Sequence, residues 1–90
     1  MNRRKLIAAA KAAEAAFKGN SQKWRIYCRL VASLINGRDL KNIHFAQMRI
    51  LSYTKRVSEI RDIIGVYGLT IVATKVDDSN IFIYTIEAAR

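Results

Sequence analysis

From Ser52 to Tyr67 the chain reads Ser-Tyr-Thr-Lys-Arg-Val-Ser-Glu-Ile-Arg-Asp-Ile-Ile-Gly-Val-Tyr, and its chemically useful side chains are hydroxyls and cations. A step of about 100° per residue gathers Thr54, Lys55, Ser58, Arg61 and Asp62 on one side of a helix. The same step gathers Tyr53, Val57, Ile60, Ile63, Ile64 and Tyr67 on the other side. Short hydroxyl donors interleaved with cations suit hydrogen bonding to an oxygen-rich, negatively charged surface. Ser52 reads first as the N-cap of this helix, worth about 1 kcal/mol, and second as a donor to an anion. Arg56 sits at the margin of the apolar stripe, where its stem covers apolar surface and its head reaches outward. For Arg61 two readings stand side by side, an external anion or a pair with Asp62 or another surface acid.

Elsewhere the residues that perform catalysis are sparse. Cys28 is the only cysteine and His44 the only histidine, so neither an internal disulfide nor a zinc ligand set is available. Cys28, between Tyr27 and Leu30, reads as a small buried hydrophobe in a reducing compartment. His44 reads as a packed or surface histidine. There is no glycine-rich phosphate loop, no metal-ligand spacing and no carboxylate pair beside an apolar cleft. The expectation is a non-enzymatic protein without metal or cofactor.

The charge points to the partner's sign. Sixteen Lys and Arg face seven Asp and Glu, a formal +9 over 90 residues, which favours a polyanion. Residues 1–61 carry 14 basic and 3 acidic side chains, a net +11, while residues 62–90 carry a net −2. Lys41 and Arg49, ahead of the Ser52–Tyr67 segment, are candidate phosphate contacts, and Arg3, Arg4, Lys5 and Lys11 form a candidate basic arm. Lys75 stands beside Asp77 and Asp78, which repel an anion. The plainer reading of these charges, as solvated helix faces, stands next to this one. Met1-Asn2-Arg3-Arg4-Lys5-Leu6-Ile7 superficially has the charged lead of a secretory signal. Lys11 and Glu14 interrupt the apolar run that should follow, so no membrane segment and a cytoplasmic location are expected.

The elements that must position these residues follow from periodicity. Residues 3–17 are alanine-dominated and predict a helix docking through Leu6, Ile7, Ala10 and Phe17, stopped by Gly19 and Asn20. A second helix, capped by Ser21, runs to Asn36 and ends at Gly37, with Trp24, Tyr27, Cys28, Val31, Ala32, Leu34 and Ile35 as its core set. Asp39 is the expected cap of a short helix over 40–48, with Leu40, Ile43, Phe45, Ala46 and Met48 apolar. After the helix from Ser52, Gly68 is a left-handed C-cap. Leu69–Val76 and Ile81–Ile86, joined by Asp77-Asp78-Ser79-Asn80, predict a β-hairpin. Its inward residues are expected to be Leu69, Ile71 and Ala73 with Phe82 and Tyr84 or their neighbours.

Leu51-Ser52-Tyr53-Thr54-Lys55-Arg56-Val57-Ser58-Glu59-Ile60-Arg61 through Gly68-Leu69-Thr70-Ile71, followed by the hairpin ending Phe82-Ile83-Tyr84-Thr85-Ile86, resembles the small winged helix-turn-helix DNA-binding proteins of bacteriophages and prophages. Ser52, Arg56, Val57, Ser58, Ile60, Arg61, Gly68 and Tyr84 match the family pattern. The resemblance covers residues 22–86, and Lys41–Met48 replace the acidic, alanine-containing helix usual before the turn. It implies a mainly α fold with a C-terminal β-hairpin, a winged helix-turn-helix over 20–90, and an extra alanine-rich basic helix over 1–19. It further implies that residues 52–67 form the recognition helix for double-stranded DNA in a regulatory protein. There Ser52, Thr54, Lys55, Arg56, Ser58 and Arg61 meet bases or phosphates. Winged helices also dock proteins, so an acidic host protein is the alternative partner. The sequence leaves room for a homodimer.

Overall fold

The computed structural model describes residues 2–19, 21–50 and 52–89, with the side chain of Ser21 excepted. Among the described residues four α-helices and three strands follow in the order α1 (Arg3–Ala13), α2 (Ser21–Asn36), β1 (Leu40–Lys41), α3 (Asn42–Gln47), α4 (Tyr53–Ile64), β2 (Leu69–Lys75) and β3 (Phe82–Ala88). The fold is mostly helical with a small three-stranded antiparallel sheet, a layout compatible with a winged helix.

The alanine-rich segment begins as expected, with Asn2 Oδ1 accepting the Lys5 N–H at 2.9 Å, and tightens into a 3₁₀ turn over Glu14–Phe17. Its small side chains let α1 approach the core closely. Ala10 and Ala13 are fully buried, and the Tyr27 hydroxyl of α2 donates to the Ala10 carbonyl at 2.6 Å. That carbonyl lies in the last turn of α1, where the Glu14 N–H bonds Lys11 instead, so Tyr27 satisfies an acceptor the helix leaves open. The Phe17 and Tyr27 rings lie 4.5 Å apart. Gly19 follows at φ 92°; the assignments to Asn20 and to the Ser21 cap lie outside the described residues.

In α2 the extent is as expected, through Asn36 and then Gly37 at φ 74°, but the buried stripe is rotated. Ile26, Tyr27, Leu30 and Val31 are buried, whereas Ala32 is exposed and Ile35 is 43% exposed. Apolar residues encircle much of this helix, so periodicity alone left its phase ambiguous. The neighbours α1, α4 and β3 decide it.

The short helix differs from expectation. Asp39 caps nothing; Leu40 and Lys41 are extended and pair with Tyr84 and Ile83 of β3, and α3 starts at Asn42. Pairing with a strand some forty residues away outweighs the local helix signal, and the Lys41 N–H donates to His44 Nδ1 at 2.9 Å. Phe45, fully buried, meets the rings of Tyr53 at 5.4 Å and Tyr84 at 5.3 Å, joining α3 to α4 and to the sheet. Ile43 is 46% exposed and Ala46 is exposed, because so short a helix buries only its central face.

The hairpin lies at the expected place, with β3 central in the order β1-β3-β2 and Ile71 opposite Ile86. Leu69, Ile71, Tyr84 and Ile86 are buried. Ala73 is exposed, contrary to expectation, because β2 runs out beyond the helical layer after Val72. All buried side chains form one cluster that α1 shares with the rest. Full burial of a residue such as Ile60 contributes about 1.5–3 kcal/mol.

Candidate nucleic-acid interface

Helix α4 is anchored on three sides. Val57, Ile60 and Ile64 are buried in the core, as the apolar periodicity requires. On the flank toward α2, Glu59 accepts from Lys23 Nζ at 2.9 Å and from Arg56 Nη1 at 2.7 Å, and Arg56 Nε donates to Gln22 Oε1 at 3.0 Å. On the flank toward the sheet, Arg61 Nε donates to the Ile71 carbonyl of β2 at 3.0 Å. What remains outward is Thr54, Lys55, Ser58 and Asp62, all exposed.

This arrangement sorts the residues singled out in the sequence. Thr54, Lys55 and Ser58 come together on one free face, as expected. Arg56 and Arg61 are half-buried and engaged: Arg56 serves the Glu59 and Gln22 bridge, and Arg61 bonds a strand carbonyl and not Asp62. Ser52 is the N-cap of α4, but its side chain makes no capping bond. At φ −106° and ψ 39° its backbone leaves the extended geometry that aims a cap hydroxyl at the next amides. Its carbonyl accepts from the Arg56 N–H at 3.1 Å. Tyr67, assigned to the core stripe, is 39% exposed. The helix gives way to a 3₁₀ turn over Gly65–Tyr67, and the tighter winding breaks the phase. Gly68 is left-handed at φ 76°, as expected.

Arg49 occupies the turn between α3 and α4, exposed and left-handed at φ 59°. Its N–H donates to Ala46 O at 3.0 Å and the Ile50 N–H to Phe45 O at 3.3 Å, bonds that reverse the chain into α4. Lys41 is half-buried in β1. Beside it Asn42 ties α3 to the hairpin: its Nδ2 donates to Asn80 O at 2.9 Å and its Oδ1 accepts from the Phe82 N–H at 3.2 Å. The hairpin tip carries exposed Lys75, Asp77 and Asp78, with Asp77 at φ 48°. Arg4 is exposed on α1, and Arg3 is held away from this face. Arg3 Nη2 donates to Ile35 O at 2.9 Å, at the C-terminal end of α2. That is about 18 Å along the helix from the Lys23–Glu59 contact.

A second cationic group lies on the polar side of α2. Arg25 and Arg29, one turn apart on α2, line a cleft of about 290 Å³ with Trp24, Cys28 and Met48. Their i, i+4 spacing on the polar side of an otherwise apolar helix was the available signal. Only the fold brings Met48 against them, with Arg25 Nη2 donating to its carbonyl at 3.1 Å.

Electrostatically the charge excess is left free. Arg25, Arg29, Arg49 and Lys55 have no ion-pair partner among the described residues. The hydrogen bond from Lys23, with that from Arg56, holds the Glu59 carboxyl below its ordinary range. Burial, with Glu14 nearby, pushes the Cys28 thiol up, away from a reactive thiolate. No described helix is long and apolar enough to cross a membrane, and the described residues hold no cluster of three or more potential metal ligands. No protein-family model matches the chain, and neither a curated protein nor a solved structure is significantly similar to it.

Proposed function

We propose that this chain is a winged helix-turn-helix DNA-binding module, a non-enzymatic regulatory protein of phage or prophage type, with α4 as its recognition helix. One observation carries the reading: α4 is locked to α2, the core and β2 on three sides while Thr54, Lys55 and Ser58 stay exposed on the fourth. Such a helix enters a major groove as a rigid body, with hydroxyls and one ammonium at base-edge and phosphate height. Asp62, on the same face one turn further along, repels phosphate, so contact belongs to the first two turns of α4. Arg49 precedes that end of the helix, and Lys41 pairs with Ile83 at the start of β3, beside the hairpin tip. Arg56 and Arg61 support the reading by fixing the helix and not by touching DNA.

With Lys41, Arg49 and Lys55 each neutralising a phosphate, the slope of log K against log salt is about −2.7, or about 40-fold in affinity between 50 and 200 mM salt. Fluorescence anisotropy against random duplex DNA, single-stranded DNA and RNA at matched salt tests this. Duplex DNA is expected to bind most tightly with that slope. A slope near zero, or preference for single strands, sets the reading aside.

A further inference from the structure

The cleft between α2 and the end of α3 lies outside the outward face of α4 and has a chemistry of its own. Its apolar lining is Trp24, Cys28 and Met48, all half-buried, with Trp24 and Met48 packed on the core. Its cations are Arg25 and Arg29, both exposed, and no acidic side chain lines it. The bond from Arg25 Nη2 to Met48 O holds one guanidinium at the mouth and uses one of its donors. Arg29 has no hydrogen-bond partner among the described residues.

We propose that this cleft docks an acidic segment of a partner protein, with an aspartate or glutamate carboxylate against Arg25 and Arg29 and an adjacent leucine- or phenylalanine-sized side chain on the Trp24–Cys28–Met48 floor. Charge complementarity selects an anion, and the planar guanidinium fork matches a carboxylate in bidentate geometry. The floor selects a peptide over a nucleic-acid backbone, since a phosphodiester has no apolar group to cover it, whereas alternating acidic and apolar side chains present both at once. Tryptophan and arginine together are also the residue types that dominate protein interface energetics. This surface is independent of the DNA reading, so either stands if the other fails.

Trp24 is the single tryptophan and Cys28 the single cysteine, so the cleft carries two intrinsic reporters. The full chain is titrated with a blocked peptide alternating glutamate with leucine and phenylalanine, its glutamine counterpart, and a single-stranded oligonucleotide of equal charge. The acidic peptide is expected to shift Trp24 emission saturably and to slow Cys28 labelling by a thiol reagent. The glutamine peptide is expected to do neither. Arg29→Ala, an exposed position checked for folding by circular dichroism, is expected to weaken the peptide about tenfold, as loss of a charge-assisted hydrogen bond does, while leaving the salt slope for duplex DNA unchanged. The proposal is overturned if the acidic peptide leaves Trp24 unchanged at millimolar concentration, if the glutamine peptide binds equally, if Arg29→Ala binds as the parent does, or if the oligonucleotide alone produces the response.

Discussion

Replacing Arg49 by glycine is expected to raise stability while lowering DNA affinity. Arg49 is left-handed at φ 59° in the turn that launches α4, a conformation that costs an L-residue about 1–2 kcal/mol. Glycine removes that cost but enlarges the entropy of the unfolded chain by about 0.4–1 kcal/mol. The Arg49 side chain has no hydrogen bond or ion pair among the described residues to offset the exchange. The net is a gain of about 0.5–1 kcal/mol, or about 2–8 °C in Tm for a domain of this size. Arg49→Ala keeps the backbone strain and removes only the charge, so its stability is expected within about 0.5 kcal/mol of the parent. Both variants are expected to flatten the salt slope by about 0.9 if Arg49 meets a phosphate. Thermal melting by circular dichroism and anisotropy titrations read the two effects separately. A destabilised glycine variant would refute the strain argument, and an unaltered slope in both would remove Arg49 from the interface.

Three further substitutions probe the frame behind the site. Tyr27→Phe keeps the buried ring and deletes only the hydroxyl on Ala10 O; leaving that carbonyl unpaired is expected to cost about 1–3 kcal/mol in urea unfolding, and an unchanged midpoint would show that the contact between α1 and α2 holds without it. Asn42→Ala removes both bonds to the hairpin, and faster hydrogen exchange at the Phe82 amide, with α4 amides unaffected, is expected. Glu59 has a folded-state pKa below its unfolded value near 4.3. Its contribution is therefore present above that unfolded value and is lost as pH falls through the lower folded one. Glu59→Gln is expected to remove that part of the acid dependence, and a parent and variant with parallel pH–stability curves would contradict it.

The elements that announce themselves in the sequence are those made by local rules. Gly37 ends α2 and Gly68 ends the 3₁₀ turn that follows α4, each in the left-handed conformation needed there, and Asp77 to Asn80 form the turn their side chains favour. The amphipathic pattern of α4 placed Val57, Ile60 and Ile64 inside and Thr54, Lys55 and Ser58 outside. What escaped depends on distant partners. β1 is two residues whose only reason to extend is β3, so Asp39 looked like a helix cap. The partners of Arg56, at the margin of the apolar stripe, and of Arg61, beside Asp62, escaped because Gln22 and the Ile71 carbonyl are brought to them by packing. Alanines promise little buried area, yet Ala13 joins the expected docking residue Ala10 in the core because small side chains let backbones approach. The cleft of Trp24, Arg25, Cys28, Arg29 and Met48 could not be read before α3 was placed against α2.

The central claim is that the first two turns of α4 touch DNA. Amide chemical-shift mapping during titration with a short duplex addresses it residue by residue. The largest shifts are expected at Thr54, Lys55, Ser58 and the Arg49 turn, with Arg3, Arg4 and the hairpin tip little changed. Shifts centred on α1 or on the far end of α2, with α4 silent, would contradict it.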